Sequence, residues 1–461
     1  MGFYPMTTEN TMFTIADDIS KGSLNMPIIY CLEESAFYGY RDGYWERLET
    51  TPLDRMIIDE YDGRLINEKE RRLNCRQYSV TTRRQILENL KPLVYKKLEV
   101  FNKSGFINFD QGEFDPMTNT LHPHMMSNYS TLRMPYEWDS SIELGEKKIE
   151  EICPLWIKTL GEIFEGDMDK FNLLQEFFGY CLTRDVRHEK ALLLLGESRT
   201  GKSTILETFQ AVIGKHNYSS VPLEHIENPQ YTPLLMNKLI NFDTDCSSQA
   251  ERYESSFRKI TSGEDINCNP KYLSPYTFKP HLKLIMAANQ FPKIKDQSSA
   301  FYKRLLLLPC DRVFEDNEQD IRLKDKLQKE LFGVFMWAVE GLHRINARGG
   351  FEKKSFMTEA VEELREESNP VEVFFKEHII ADHNSNSYIQ KGELYEKYRQ
   401  WSIQMNQPYA LSAIRFSQAV YRKYSKYTPK NSKDVIGERV WRNLKYKDTI
   451  TTPQEHTQWQ E

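Results

Sequence analysis

The chain has 461 residues, enough for roughly two to four domains. Its 39% hydrophobic and 28% charged shares are those of an ordinary soluble globular protein, and a formal net charge of -6 carries no signal for a polyanionic partner. Any nucleic-acid role must therefore rest on local patches. No run of about 18 apolar residues exists, so no membrane span is expected. Met1 to Asn10 lacks the basic-then-apolar layout of a signal peptide. The 7 cysteines (31, 75, 153, 181, 246, 268, 310) stand singly with no C-x-x-C, which predicts reduced thiols in a cytoplasmic protein and argues against zinc. His122-Pro123-His124, a close histidine pair with no cysteine near it in sequence, reads as a loop.

Residues 1–148 read as a mixed α/β accessory region. Phe37 to Trp45 carries two aromatic strand segments around Asp42-Gly43, a hairpin signal, with cross-strand ring pairing favoured over base stacking. Arg84 to Leu98 has apolar residues at helical spacing. Phe106 to Asp110 predicts a strand, and Tyr129 to Tyr136 another extended piece. The carboxylates between them, Asp110, Glu113 and Asp115, are expected in turns and strand edges, because no partner motif follows. Residues 149–190 turn helical, through Trp156 to Phe164 and Met168 to Leu182. These helices are expected to form a collar-like subdomain whose apolar faces either join a core or meet neighbouring subunits.

Ala191 to Leu195 is a short apolar run, followed by G-x-x-x-x-G-K-S from Gly196 to Ser203 and a helical Ile205 to Phe209. Strand, glycine-bounded loop and helix together predict a phosphate cradle. Gly196, Glu197, Ser198, Arg199, Thr200, Gly201, Lys202, Ser203 and Thr204 form it, with Lys202 reaching the β- and γ-phosphates of ATP and Ser203 holding Mg²⁺. Lys238 to Asp245 is a strand ending in Asp243 and Asp245, which share one face and are candidates for Mg²⁺ and for the attacking water. Ile266 to Phe278 alternates around Asn-Pro and predicts a hairpin with Lys271 and Tyr272 near its tip, suited to a nucleic-acid backbone. Leu282 to Asn289 is a third strand that places Asn289 beside the γ-phosphate. Arg304 precedes a fourth, Leu305 to Leu308, where an arginine stabilises charge developing on a transferred phosphate.

The order of Gly196–Ser203, Asp243/Asp245, the Lys259–Asp265 turn with its hairpin, and Asn289 resembles a superfamily 3 helicase. It is similar in particular to the helicase half of the phage and plasmid primase-helicases, which include satellite-phage, pathogenicity-island and poxvirus replication proteins. The resemblance covers roughly residues 100 to 345. It implies an α/β, AAA+-like P-loop ATPase core over residues 191–347, a hexameric ring and 3′ to 5′ movement. It implies Asn289 as sensor, Arg304 as an arginine finger acting across a subunit interface, and Lys271 on a hairpin gripping single-stranded DNA in the pore. Asp245, and less surely Asp243, takes the acidic role, because relatives carry two adjacent acids where this chain reads Asp243-Thr244-Asp245. The region before residue 100 is too short for a catalytic primase domain, so primer synthesis is not expected.

Residues 348–370 read as a helical linker from Phe351 to Glu367, broken at Ser368-Asn369-Pro370. Residues 371–461 then show helices at Val371 to Ile380, Leu394 to Trp401 and Ser412 to Tyr424, and a hairpin over Lys430 to Lys445. Helices followed by a hairpin suggest a winged-helix DNA-binding domain with its recognition helix at Arg415 to Tyr424. Arg415, Arg422, Lys423, Lys426, Arg439 and Arg442 are candidate DNA contacts, in a stretch where only Asp434 and Glu438 oppose the basic residues. The expectation is therefore an ATP-dependent, ring-forming DNA helicase for replication of a phage, plasmid or mobile island. It would bind single-stranded DNA in the pore, duplex origin DNA through its C-terminal domain, and host replication proteins. A P-loop kinase and a non-enzymatic initiator with a nucleotide-binding site are the rival readings.

Overall fold

The computed structural model describes residues 8–61, 80–142, 149–244, 246, 254–270, 274–289, 299–357, 359–360, 370–381, 387–405, 410–424 and 437–447. The chain divides into two units, Met1–Met357 and Thr358–Glu461.

The first unit begins with α1 (Thr8–Ser20), β1 (Ile28–Cys31), β2 (Ala36–Arg41), β3 (Tyr44–Leu48), α2 (Thr50–Tyr61), α3 (Val80–Val94) and β4 (Tyr95–Lys96). The strands form a sheet in the order β3-β2-β1-β4. Asp42 and Gly43 make its tight turn, both at positive φ, and Tyr40 faces Trp45 with ring centroids 5.3 Å apart. The aromatics thus pair across the hairpin as expected. A meander of β5 (Ile107–Phe109), β6 (Gly112–Asp115) and β7 (Thr120–His122) follows. Tyr129 to Tyr136 does not add a strand: it touches the meander through one bridge, Asn108 to Arg133. Tyr129 sits at φ 46, a left-handed conformation that interrupts extended pairing. Among the carboxylates here, Asp110 pairs with Arg133, Asp115 accepts the Met117 N–H at 2.9 Å, and buried Glu113 accepts from Met125 N and Asn128 Nδ2.

Next come α4 (Ile149–Ile152), α5 (Pro154–Ile163) and α6 (Met168–Cys181), the last capped by the Asp167 carboxylate on the N–H groups of Asp169 and Lys170. The central sheet uses β8 (Ala191–Leu195), then, after α7 (Lys202–Ile213), β9 (Tyr218–Ser219) and β10 (Ile240–Asp243). After α8 (Glu254–Ser262) and the antiparallel pair β11 (Ile266–Cys268) and β12 (Tyr276–Phe278), it takes β13 (Lys283–Ala288). After α9 (Ser299–Arg304) it takes β14 (Leu305–Pro309). The order is β14-β8-β13-β10-β9, all parallel. Both faces are covered, which is why Leu192, Leu193 and Leu194 are all buried and the strand reads as a continuous apolar run. β9, only 2 residues long, leaves no mark in the sequence because so short a strand has no period.

The unit closes with α10 (Leu323–Leu327) and α11 (Leu331–Arg348). α11 packs on α6, where Gln175 donates to the Trp337 carbonyl and buried Glu176 binds Arg344 and Arg348. Trp156, Phe178, Phe209 and Trp337 share one core, so the apolar faces of the helices before β8 are core faces.

Phe351 to Lys354 is not helical, so the expected linker helix starts later: 355–357 and 359–360 are helical. Phe351 instead packs on Tyr180 and His188, and residues 361–369 lie outside the described set. The second unit holds α12 (Pro370–His378), β15 (Ile379–Ala381), β16 (Tyr388–Gln390), α13 (Lys391–Gln404), α14 (Ala413–Tyr424), β17 (Val440–Arg442) and β18 (Leu444–Tyr446). Its core gathers Phe374, Tyr398, Phe416 and Trp441. β17 pairs with β16, and β18 with β15. They are not each other's partners, because only Asn443, at φ 61, lies between them, too little chain for a hairpin loop. Of the expected hairpin over Lys430 to Lys445, residues 430–436 lie outside the described set, and 437–445 hold β17 and the start of β18, which pair with β16 and β15 instead.

Candidate nucleotide site at the C-terminal edge of the sheet

β8 delivers Gly196 to the carboxyl edge of the sheet, between β13 and β14. The Gly196 N–H donates to the Ala288 carbonyl at 3.3 Å, and the Cys310 N–H to the Leu195 carbonyl at 2.7 Å. A Cβ on Gly196 would lie 2.1 Å from the Cys310 carbonyl oxygen, so only glycine fits between these strands. Gly201 is the N-cap of α7 at φ +86, and a Cβ there would lie 2.6 Å from the Ile163 side chain. Between them Arg199 also takes a left-handed φ of 65, and its carbonyl accepts the Phe314 N–H at 2.9 Å. Thr200 is buried and donates to the Glu197 carbonyl at 2.9 Å. The loop is thus closed on itself and packed against α5 and the chain beyond β14.

Lys202 begins α7 and is turned inward. Its Nζ donates to the carbonyls of Gly196 and Glu197, each at 2.6 Å, and burial draws its pKa below the usual lysine value. Ser203 is exposed in the first turn, with Thr204 half-buried beside it. The free N–H groups of that turn and the ammonium within the loop form a concave, positively polarised surface. Glu197, Ser198 and Arg199 are exposed on its rim, where Arg199 pairs with Asp316 at 2.6 Å. The chemistry of this set suits an anion bearing several phosphate oxygens.

The structure brings Asn289 to the same edge. Ala288 pairs with Leu195, so Asn289 stands level with Gly196, and it is exposed. Asp243 ends β10 next door, but its buried carboxylate accepts the Leu223 N–H at 3.0 Å. Its neighbour on the same face, Asn241, bonds Ser219 Oγ and both backbone groups of Val221. These two side chains fasten the segment around β9 to β10, a structural task that sequence reasoning missed. The signal was a polar residue at every second position of Ile240-Asn241-Phe242-Asp243. Asp245 lies outside the described residues, as do Lys271, Tyr272 and Lys426. The hairpin predicted to carry Lys271 and Tyr272 is present, with Ile266 opposite Phe278 and Cys268 opposite Tyr276.

Arg304 is not gathered with the loop. It ends α9 just before Leu305, which pairs with Ala191 at the opposite end of β8 from Gly196. A strand rise of about 3.3 Å per residue puts it roughly 20 Å from the loop. There it pairs with Glu189 and donates to Ser262.

In the second unit, Phe416 and Val420 of α14 face the core while Arg415 is exposed. Arg422 and Lys423 belong to the same helix, with side chains outside the described set. Arg439 is exposed, and Arg442 is half-buried on β17.

Residues 24–165 match a family model described as D5 N terminal like, and residues 194–304 match a family of unknown function, DUF5906. Putative helicase 121R of Invertebrate iridescent virus 3 is 23% identical over 240 residues, 49% of this chain and 25% of the relative. Putative helicase L207/L206 of Acanthamoeba polyphaga mimivirus is 23% identical over 248 residues, 48% of this chain and 25% of the relative. The chain spans about a quarter of the length of these curated relatives. Its fold is similar to that of the apo NrS-1 C-terminal region, with a TM-score of 0.51 and 12% identity over 93% of this chain and 98% of that one. A second structure of that region, spanning its residues 305–718, covers 95% of this chain and 99% of its own. Over about half its length the chain is thus similar to viral proteins named putative helicases, and its fold is similar to that of the NrS-1 C-terminal region.

Proposed function

We propose that the chain is an ATP-dependent DNA helicase motor of the superfamily 3 type, working as a ring in replication of a phage, plasmid or other mobile element. The observation that carries this is the sheet order β14-β8-β13-β10-β9 with Gly196–Ser203 at the end of β8. Of its two strands closest to the loop's own on that side, β13 ends beside Asn289 and β10 ends in Asp243. In chain order the strands run fifth, first, fourth, third, second, which interposes the Asn289 strand between the loop strand and the acidic strand. That arrangement suits an AAA+-like P-loop ATPase, with Asn289 positioning water and an acid after β10 acting on it.

The inward Lys202 ammonium, the first-turn N–H groups and Ser203 fit a nucleotide phosphate chain with its Mg²⁺. When bound, Mg²⁺–ATP supplies the phosphoryl group and the counter-charge for its transfer. Asp243 is engaged by Leu223, so Asp245 is assigned the Mg²⁺ and water role. Arg304, distant from its own loop, is assigned to the loop of a neighbouring subunit, which makes the site half of an interface. Lys271 and Tyr272 on the hairpin are assigned to single-stranded DNA in the pore. The second unit, with exposed Arg415 and Arg439, is assigned to duplex DNA as a winged-helix domain.

The experiment is ATP-driven unwinding of a 3′-tailed and a 5′-tailed duplex, with Lys202→Ala as control. Unwinding of the 3′-tailed duplex alone, lost in the control, is expected. If Lys202→Ala left ATP turnover and strand separation unchanged, the helicase reading would be sunk.

A further inference from the structure

At the other end of the parallel sheet from the loop lies a cavity of about 440 Å³. Its walls come from the chain just before three strands: Arg184 before β8, Leu239 before β10 and His281 before β13. Lys279 and Phe278, where the chain leaves the β11–β12 hairpin, complete one side.

Arg184 is the unusual group here. Its Nη1 donates to the Phe101 carbonyl, and among the described residues no carboxylate pairs with it. Burial alone pulls its pKa down to about 10. A guanidinium has five donors, and one carbonyl does not offset its lost hydration. Lys279 is exposed at the rim. Among the described residues none of the carboxylates of the lining forms an ion pair with Arg184 or Lys279. Glu33 accepts the Leu98 N–H at 3.0 Å, and Glu99 and Asp265 are exposed. Lys238, a further cation of the wall, is committed to the His216 carbonyl. The His281 ring, held neutral by burial and by the nearby cations, adds a hydrogen-bonding group without charge.

We propose that this cavity is a second phosphate-binding site, anchored by Arg184 and Lys279, that takes a phosphate of a single nucleic-acid strand or of a free nucleotide. An entering phosphate supplies the charge-assisted partner that Arg184 lacks. The volume matches that of a small-ligand site and holds a sugar-phosphate unit as well as the phosphate itself. The geometry favours the strand as source, because the cavity opens at the foot of the hairpin. That preference rests on the helicase reading, whereas the phosphate site itself does not.

The test uses the full chain carrying Lys202→Ala, so that the loop contributes no nucleotide binding, and follows a fluorescent oligo(dT) by anisotropy with ATP as competitor. R184Q is expected to weaken oligo(dT) binding about tenfold, and R184K to restore part of it. K279Q, at an exposed position that leaves the fold alone, is expected to weaken it about threefold and decides the matter if R184Q does not fold. ATP displacing the oligonucleotide in an Arg184-dependent manner assigns the site to free nucleotides. Arg184-dependent binding that ATP does not displace assigns it to the strand. Oligo(dT) and ATP binding that neither R184Q nor K279Q alters overturns the proposal. Failure of the wild-type chain, with Lys202 in place, to hydrolyse ATP would instead sink the helicase reading and leave Arg184-dependent binding readable.

Discussion

The guanidinium of Arg304 pairs with the Glu189 carboxylate at 2.8 Å, at the end of the sheet away from the loop that holds Lys202. An arginine so placed has no route to its own loop. Arg304→Ala is therefore expected to keep nucleotide binding while losing hydrolysis by about a hundredfold or more. Mixing Arg304→Ala with Lys202→Ala subunits should restore part of the activity, because a mixed interface pairs an intact loop with an intact arginine. Phosphate release from the separate and mixed proteins checks this, and wild-type turnover in Arg304→Ala alone would refute the role across subunits.

Asp243, which ends β10, and Asp245 beyond it should separate stability from chemistry. The Asp243 carboxylate is buried on the Leu223 N–H, so Asp243→Ala leaves a buried donor unmet and is expected to cost about 1–3 kcal/mol in urea unfolding. Asp245→Asn is expected to leave the unfolding midpoint in place and to abolish turnover. Reversal of these two patterns would exchange the roles.

Gly201 combines two demands that can be told apart. Its φ of +86 disfavours any side chain, and a Cβ would meet Ile163 at 2.6 Å. Gly201→Ala is expected to cost about 1–2 kcal/mol from the left-handed backbone, with a further loss from the clash. Adding Ile163→Ala relieves the clash but empties part of the core, so the double variant is compared with Ile163→Ala alone, a difference that leaves the backbone cost. Nucleotide affinity measured on both variants should recover only in part.

Lys283 predicts a pH dependence of stability. It is buried at the start of β13, donates to the carbonyls of Thr183 and His281, and lies 4.5 Å from the Tyr180 ring centroid. Burial pushes its pKa down to about 7 from an ordinary 10.5. Between those values the unfolded chain binds a proton that the folded chain does not, so this group makes stability rise with pH across that window. Below about pH 7 both states carry the proton and its penalty is constant. Lys283→Met is expected to flatten the rise relative to wild type in denaturation series from neutral to alkaline pH. An unchanged slope would show that the lysine stays charged in the fold.

The elements that could be read from the chain alone are those with a local signature. Gly196, Gly201 and Lys202 sit at fixed offsets between an apolar strand and a helix. Asp42-Gly43 demands a turn by its backbone preference, and Ile266 to Phe278 alternates across its hairpin. Each is decided by forces within a dozen or so residues: backbone sterics, period and the needs of a turn. Asn289 followed from the same logic, as the polar end of an apolar strand.

What lay beyond local pattern was every relationship set by packing between distant segments. β9 is too short for a period and exists because Asn241 and Asp243 hold its segment to β10. The Arg304–Glu189 pair and the cavity around Arg184 join residues remote in sequence, so no spacing announces them. The Gly196–Ser203 loop itself was legible as a motif from its residue types and spacing. Only the tertiary structure decided that Cys310 and Ile163 make both its glycines necessary, and that Arg304 stands far from it. The physical reason is that turn and strand preferences are properties of adjacent residues, whereas close approach and charge pairing exist only once strands from across the chain take their register.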